Sequence, residues 1–311
     1  VHFASFSRYS VVYKVQGTVE ILRRYYPELR DPDYASTVTL GHARYSTNTN
    51  PIFERAQPFG LLGHNGEFNT ISRFRMEADM LGIHLDPNNS DSQDVDRLIH
   101  ALCARYGFDL IEAMEYVFPP HGHDLIERDS DVAEMYDEIR RAFGPFAQGP
   151  AAVAARMGDL CVFSVDALGL RPLWFGETEK EYFATSERGV YALDGMTVDP
   201  KPLAPGEKIA LRFTHGGVVE RLDYSDIQRH VLTRYRERVP YHINTAPNTP
   251  PRTPNGHGGY SAYGDAPIPF APTSPAAPAS MGVQQQTASA VAMATLHSYP
   301  WRVKQFPINT L

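Results

Sequence analysis

Apolar residues recur along this chain at two different periods, and the switch between them divides it. Near the start, Val19, Leu22, Tyr25 and Tyr26 fall on one helical face, with Thr18 placed to cap the helix and Pro27 to stop it. Thr37-Val38-Thr39-Leu40 is rich in β-branched residues and reads as a strand. Leu61-Leu62 is a short apolar run. After Ser90 the period is helical. Ser92 is a candidate cap for a helix carrying Val95, Leu98, Ile99, Leu102, Cys103 and Tyr106. Gly107 ends that helix, and Asp109 opens another that stops at Pro119-Pro120. A third helix places Val132, Met135, Tyr136, Ile139 and Phe143 on one side. From Gly149 the period drops to two. AAVAARM and LCVFSVDA flank Gly158-Asp159, a hairpin signal, and LWF, EYFATS, EKIALRF and VVERLD follow as short strands. Helices followed by a run of strands predict an α+β fold, sheet packed on sheet with helices outside.

The two ends of the chain behave differently. VHFASFSRYSVVYK reads as a strand region from its first residues, with no polar lead-in, so the chain is expected to be a fragment, or else to initiate at a codon read as Val1. From Ala246 to Ser280 there are nine prolines and only two charged residues, Arg252 and Asp265, a composition that cannot bury a core. A domain over residues 1–244 and a disordered, Pro-rich linker or tail over 245–311 are therefore expected.

Composition narrows the class. The protein is 42% hydrophobic and 21% charged with a net charge of −7, which gives no basis for binding nucleic acid or an anionic membrane surface. No apolar run reaches the roughly 18 residues a membrane span needs, and no segment reads as a signal peptide. Two cysteines, Cys103 and Cys161, are too few for a disulfide framework or a metal cage, and fit a reducing, cytoplasmic compartment. His121 and His123 flank Gly122 without a second ligand pair in view, so no metal site is assigned.

The chemistry concentrates between Gly41 and Thr70. Gly41-His42-Ala43-Arg44-Tyr45-Ser46-Thr47 and His64-Asn65-Gly66-Glu67 both sit where strands hand over to loops. Arg44 is a natural bidentate partner for a carboxylate, or an ordinary surface arginine. The Asn65 side-chain amide and the Gly66 N–H can converge on one oxygen, as an oxyanion hole demands, or form a tight turn. Asp91, in SDSQDVD, can bind an ammonium group or complement a helix dipole. No residue in this stretch is a nucleophile.

The order of the blocks is more specific than any one of them. RYSTNT, then HNGEFNT, then SDSQDVD resembles the class II glutamine amidotransferases, and within them the amidotransferase domain of the glutamate synthase large subunit. GPAAVAARMGD, VDALGLRPLWF and TSERGVYAL before PLAPGEK agree, so the resemblance covers roughly residues 1 to 215. It implies a four-layer αββα N-terminal-nucleophile hydrolase sandwich, here expected to lack its first strands. It also implies hydrolysis of the glutamine side-chain amide to glutamate and ammonia. By resemblance, Asn65 and Gly66 form the oxyanion hole, Arg44 takes the α-carboxylate, Asp91 takes the α-ammonium group, and Thr47 and His42 line or support the pocket. Asp166 and Arg171 look like a structural pair without a catalytic role.

One departure is plain. The family's nucleophile is an N-terminal cysteine, and Cys103 and Cys161 both read as small core residues. No cofactor is expected in this chain. By resemblance, FMN and an iron–sulfur cluster belong to downstream domains, and the ammonia passes to a synthase domain or subunit with an acceptor such as 2-oxoglutarate. Two other readings stay open: a non-catalytic glutamine-binding regulatory relative, and an interaction scaffold working through its Pro-rich tail.

Overall fold

Alternate residues of one central strand face two different cores, and this sets the layering. The computed structural model describes residues 3–7, 10–43, 49–121, 129–190, 194–214, 218–239 and 293–297. The helices are α1 (Val19–Tyr25), α2 (Ile71–Met80), α3 (Asp91–Tyr106), α4 (Leu110–Val117), α5 (Ser130–Ala142) and α6 (Tyr224–Arg238). The strands are β1 (Val38–Gly41), β2 (Leu62–Gly66), β3 (Ala151–Met157), β4 (Leu160–Val165) and β5 (Trp174–Thr178). They continue with β6 (Glu181–Thr185), β7 (Met196–Pro202), β8 (Lys208–Phe213), β9 (Val219–Leu222) and β10 (Met293–His297). In β3, Ala151, Val153 and Ala155 belong to the core shared with the helices, while Ala152 and Ala154 belong to the core between the sheets. A period of two puts successive side chains on opposite faces, so a strand buried on both sides must be apolar throughout. The small alanines let both neighbouring layers approach closely.

The strands form two five-stranded sheets, ordered β1-β10-β6-β5-β7 and β2-β3-β4-β8-β9. Every pairing is antiparallel. Between the sheets, Phe163, Cys161, Ile209 and Leu211 of the second sheet meet Val38, Phe175 and Ala184 of the first. The outer face of the second sheet is covered by helices, with Val95, Leu98 and Ile99 of α3, Ile111 and Met114 of α4, Met135 and Tyr136 of α5, and Ile227 and Val231 of α6 in one cluster. The sheet-on-sheet packing expected from the sequence is thus the observed one.

Local chemistry explains the helix ends. Asp109 and Glu112 form a reciprocal capping box at the start of α4. Gly107, in the left-handed conformation at φ 68°, ends α3 as its spacing predicts. The start of α3 differs from expectation. Ser90, not Ser92, is the cap, and it forms a capping box with Gln93. Ser92 is the second residue of the helix and is buried.

Other differences have equally physical causes. The described residues of the N-terminal stretch form no strand, and Phe3 and Phe6 are exposed. A strand needs a partner, and this segment has none among the described residues. β7 carries Pro200 and Pro202 in a strand at the sheet edge, where a missing N–H donor is tolerated, and its pairing with β5 is irregular. Within residues 245–311, Met293–His297 forms β10, which joins β1 to β6.

Candidate active site

The β2 strand carries the second motif to the end of its sheet, and its entry is fixed by side chains from elsewhere. Asp96 Oδ1 accepts the backbone N–H groups of Leu61 and Leu62, both at 3.0 Å. Gln57 Oε1 accepts the His64 N–H at 2.7 Å. Asn65 and Gly66, the last two residues of β2, pair with Ala152 and Ala151 of β3. That end of β3 is itself anchored. The Asp166 carboxylate accepts the N–H groups of Ala151, Leu168, Leu170 and Arg171 at 3.0–3.1 Å. The pairing of Asp166 with Arg171 therefore runs through the Arg171 backbone, and its role is to hold the loop after β4.

Gly66 has φ 138°, and a Cβ there would lie 1.8 Å from the Pro150 carbonyl oxygen. Across from it, Gly149 has φ 142°, and its Cβ would lie 2.1 Å from the Glu67 carbonyl oxygen. Two glycines thus let the backbones pass each other, with Glu67 N–H donating to Pro150 O at 2.9 Å. This backbone approach, rather than a two-residue hairpin turn, is the reason for Gly66.

A hydrogen-bonded chain runs behind the strand. His64 Nδ1 lies 2.8 Å from Ser92 Oγ, and Ser92 Oγ donates to Asp91 Oδ1 at 3.2 Å. With the hydroxyl proton committed to the carboxylate, His64 carries its proton on Nδ1 and donates to Ser92. Asp91 also accepts Ser92 N–H at 2.7 Å and, through Oδ2, Phe68 N–H at 3.0 Å. The first residue of α3 thereby fixes the loop after Gly66. His42 follows β1, and its Nε2 lies 3.0 Å from the His64 carbonyl oxygen. A carbonyl only accepts, so His42 donates. The His64 ring stacks on Phe68 with centroids 4.0 Å apart.

The last contact joins the two sheets. Asn65 Nδ2 donates to Ser186 Oγ at 2.8 Å, and Ser186 follows β6. Of the residues expected from the sequence, His42, Asn65, Gly66 and Asp91 are linked in this way around β2. Arg44 and Thr47 lie outside the described residues, as does His123. Ser92, Asp96 and Ser186 were not singled out as site residues, although SDSQDVD and TSERGVYAL contain them. A serine in a helix-start motif has a sufficient local explanation as a cap, which hides a tertiary role.

Burial holds the His64 imidazole down to about 4, against the partial opposition of Asp91 and with the help of His42 and Arg171. Its folded value lies below the ordinary 6.5. The unfolded chain therefore takes up a proton between those values that the native state refuses. Stability from this group is complete above about pH 6.5 and falls as pH drops toward 4. Asp96 acts with the opposite sign. Burial raises its carboxyl to about 6 from an ordinary 3.8, so acidification over that range favours the native state. The two effects offset each other in the parent. In Asp96→Asn only the histidine effect remains, and urea unfolding at pH 6.5 and pH 4.5 should show a steeper acid loss than in the parent. Equal losses in both proteins would contradict the assignment.

Neither cysteine is placed for nucleophilic chemistry. Cys161 lies between the sheets and Cys103 packs against the helical core. Burial pushes both thiols up to about 12, so both are protonated near neutral pH. Among the described residues, no group of three or more His, Cys, Asp or Glu side chains is placed to hold a metal. None of their helices is long and apolar enough to cross a membrane.

Residues 1–241 match the family model described as glutamine amidotransferases class-II. The NADH glutamate synthase of Saccharomyces cerevisiae is 30% identical over 237 residues, covering 70% of this chain and 11% of the yeast protein. A chloroplastic ferredoxin-dependent glutamate synthase of Oryza sativa subsp. japonica is 32% identical over 72% of this chain and 15% of its own length. The NADPH glutamate synthase large chain of Azospirillum brasilense is 30% identical over 72% of this chain and 16% of its own length. The chain thus spans less than a fifth of the length of these relatives. Among solved structures, a glutamine phosphoribosylpyrophosphate amidotransferase from B. subtilis aligns with TM-score 0.37 and 21% identity, over 59% of this chain and 34% of that one.

Proposed function

Since the chain belongs to the class II glutamine amidotransferases, we propose that it forms the glutamine-recognising and oxyanion-stabilising part of a glutamate-synthase-type amidotransferase domain. The observation that carries this reading is the end of β2. There Asn65 has its amide tied to a second sheet, next to a Gly66 position that admits no side chain. An amide N–H and a backbone N–H from adjacent residues are the donors that a tetrahedral oxyanion needs.

In the proposed reaction a cysteine thiolate attacks the glutamine side-chain carbonyl carbon. A carbon–sulfur bond forms and the carbonyl electron pair moves to oxygen, which Asn65 and Gly66 stabilise. Collapse breaks the carbon–nitrogen bond, the leaving nitrogen takes up the proton given up by the thiol and departs as ammonia, and a thioester remains. Water hydrolyses the thioester to glutamate and regenerates the thiol. The nucleophile is assigned to an N-terminal cysteine outside these residues, since Cys103 and Cys161 are core thiols. Arg44 is proposed to take the α-carboxylate and Asp91 the α-ammonium group, with His42 and Thr47 supporting the pocket. The ammonia acceptor is assigned to a synthase domain or subunit, in a cytoplasmic setting. FMN and iron–sulfur chemistry belong there as well. A cluster needs several thiolates, and the two cysteines here lie in different cores, so these residues do not fit one.

A glutamine-binding relative that does not hydrolyse its ligand is the second reading, favoured by the two protonated core thiols. Calorimetry tests the pocket shared by both. Glutamine binding is expected to weaken at least about tenfold in Arg44→Ala, the loss of a charge-assisted bidentate contact. A comparable loss is expected in Asp91→Asn, which keeps an oxygen for the Phe68 N–H while removing the charge. Binding unchanged in both variants would end the proposal. An in-frame sequence preceding Val1 that supplies a processed cysteine separates the enzyme from the non-catalytic reading.

A further inference from the structure

Two successive residues of β2 are each pinned to a different strand of the opposite sheet. His64 accepts from His42, which follows β1, and Asn65 donates to Ser186, which follows β6. β1 and β6 flank β10 in one sheet, whereas β2 is an edge strand of the other. The first pin uses the His64 backbone carbonyl and fixes the strand. The second uses the Asn65 side chain and fixes the amide itself.

We propose that Ser186 is a positioning residue that acts through Asn65, orienting its amide for the developing oxyanion. The inference rests on the proposed oxyanion role of Asn65. Rotation of an asparagine amide about its terminal torsion is broad, so backbone placement alone does not aim it. One hydrogen bond to a fixed partner does. Ser186 is such a partner. It is 6% exposed. The turn it sits in is held by Thr185, whose Oγ1 accepts Glu187 N–H and donates to Glu187 O, both at 3.2 Å. Thr185 is itself buried and pairs with Trp174 in the sheet. An amide NH₂ has two N–H groups. With one committed to Ser186, the plane of the other is set, and it is the one left for a ligand oxygen. The bond also couples the geometry of the hole to the separation of the two sheets, because its ends belong to different sheets.

The test is a double-mutant cycle read by kinetics, in the longer polypeptide that carries the nucleophile, with amide NMR on the same variants. Loss of one oxyanion donor costs about 10²–10³ in kcat, and Asn65→Ala is expected to show a loss of that size. Ser186→Ala is expected to lower kcat about ten- to a hundredfold, with KM changed less than about twofold. In the Asn65→Ala background the same serine substitution is expected to have no further effect on kcat. Ser186→Cys preserves the size with a weaker acceptor and should fall between. In NMR spectra the two Asn65 side-chain protons should be well separated in the parent and move together in Ser186→Ala. A serine effect of equal size in both backgrounds, or Asn65 amide signals indifferent to Ser186, overturns the positioning role. An Asn65→Ala variant with unchanged kcat sinks the oxyanion reading first, and this proposal with it.

Discussion

Replacing Gly66 with alanine is expected to destabilise the protein by more than about 3 kcal/mol and to abolish glutamine binding. Two penalties combine at this position. The backbone holds φ 138°, a region costing an L-residue on the order of 1–3 kcal/mol. The new Cβ would also lie 1.8 Å from the Pro150 carbonyl oxygen, so the ends of β2 and β3 must separate to accept it. That separation breaks the Glu67–Pro150 hydrogen bond and moves Asn65 with it. Gly158 provides the control. It has φ 56° with nothing within 4 Å of a built Cβ, so alanine there should cost only about 1 kcal/mol. Urea midpoints for both variants, with calorimetry for glutamine, decide the matter. If Gly66→Ala costs no more than Gly158→Ala, the close backbone approach is not what the site depends on.

Lys208→Met is expected to cost about 3–5 kcal/mol, the penalty for stranding a buried charge. Lys208 on β8 and Glu115 on α4 are both fully buried, with Nζ 3.0 Å from Oε1. The ammonium also donates to the Phe118 carbonyl at 2.8 Å, and Tyr136 OH donates to Glu115 Oε2 at 2.6 Å. Burial lowers the lysine from its ordinary value, and Glu115 works against that change. Removing the cation leaves the carboxylate with the tyrosine alone. The double variant Lys208→Met/Glu115→Gln removes both charges and keeps an acceptor for Tyr136. It should recover most of the loss, because a buried pair contributes little net stability compared with neutral groups of similar volume. Chemical unfolding of the three proteins measures the cycle. A double variant as unstable as Lys208→Met would show that the pair is held by packing rather than by charge balance.

Much of the architecture was legible because it is written locally. Strong helices such as α3 and α5 carry apolar residues at helical spacing and end at capping or glycine signals that need no distant partner. The strands β3, β4 and β8 read as nearly continuous apolar runs because each is buried on both faces between two layers. Other elements lacked such marks. α2 buries only Phe74 and Ala78. α6 is mostly polar, and three of its contacts reach across to α4 and its cap: Arg234 and Arg238 to Glu112, and His230 to Asp109. β7 contains prolines that argue against a strand until its edge position is known. β10 lies in the Pro-rich segment, and only its pairing with β1 and β6 makes it a strand.

The candidate site divides along the same line. By itself the sequence determined the family, through the order of its short blocks, and nominated Arg44, Asn65, Gly66, Asp91, Thr47 and His42. It also showed that neither cysteine suits the role of nucleophile, since each falls at a core position of its own element. Only the tertiary structure decided why Gly66 is glycine: an opposing backbone, separated by many residues in sequence, fills the space of a Cβ. Only it decided that Ser92 joins Asp91 to His64 instead of capping a helix, and that Ser186 holds the Asn65 amide. The reason is the range of the interactions. Periodicity, caps and turns act within a few residues and leave a mark in the sequence. A hydrogen bond between two sheets depends on how those sheets stack, and the stacking is set by the whole core.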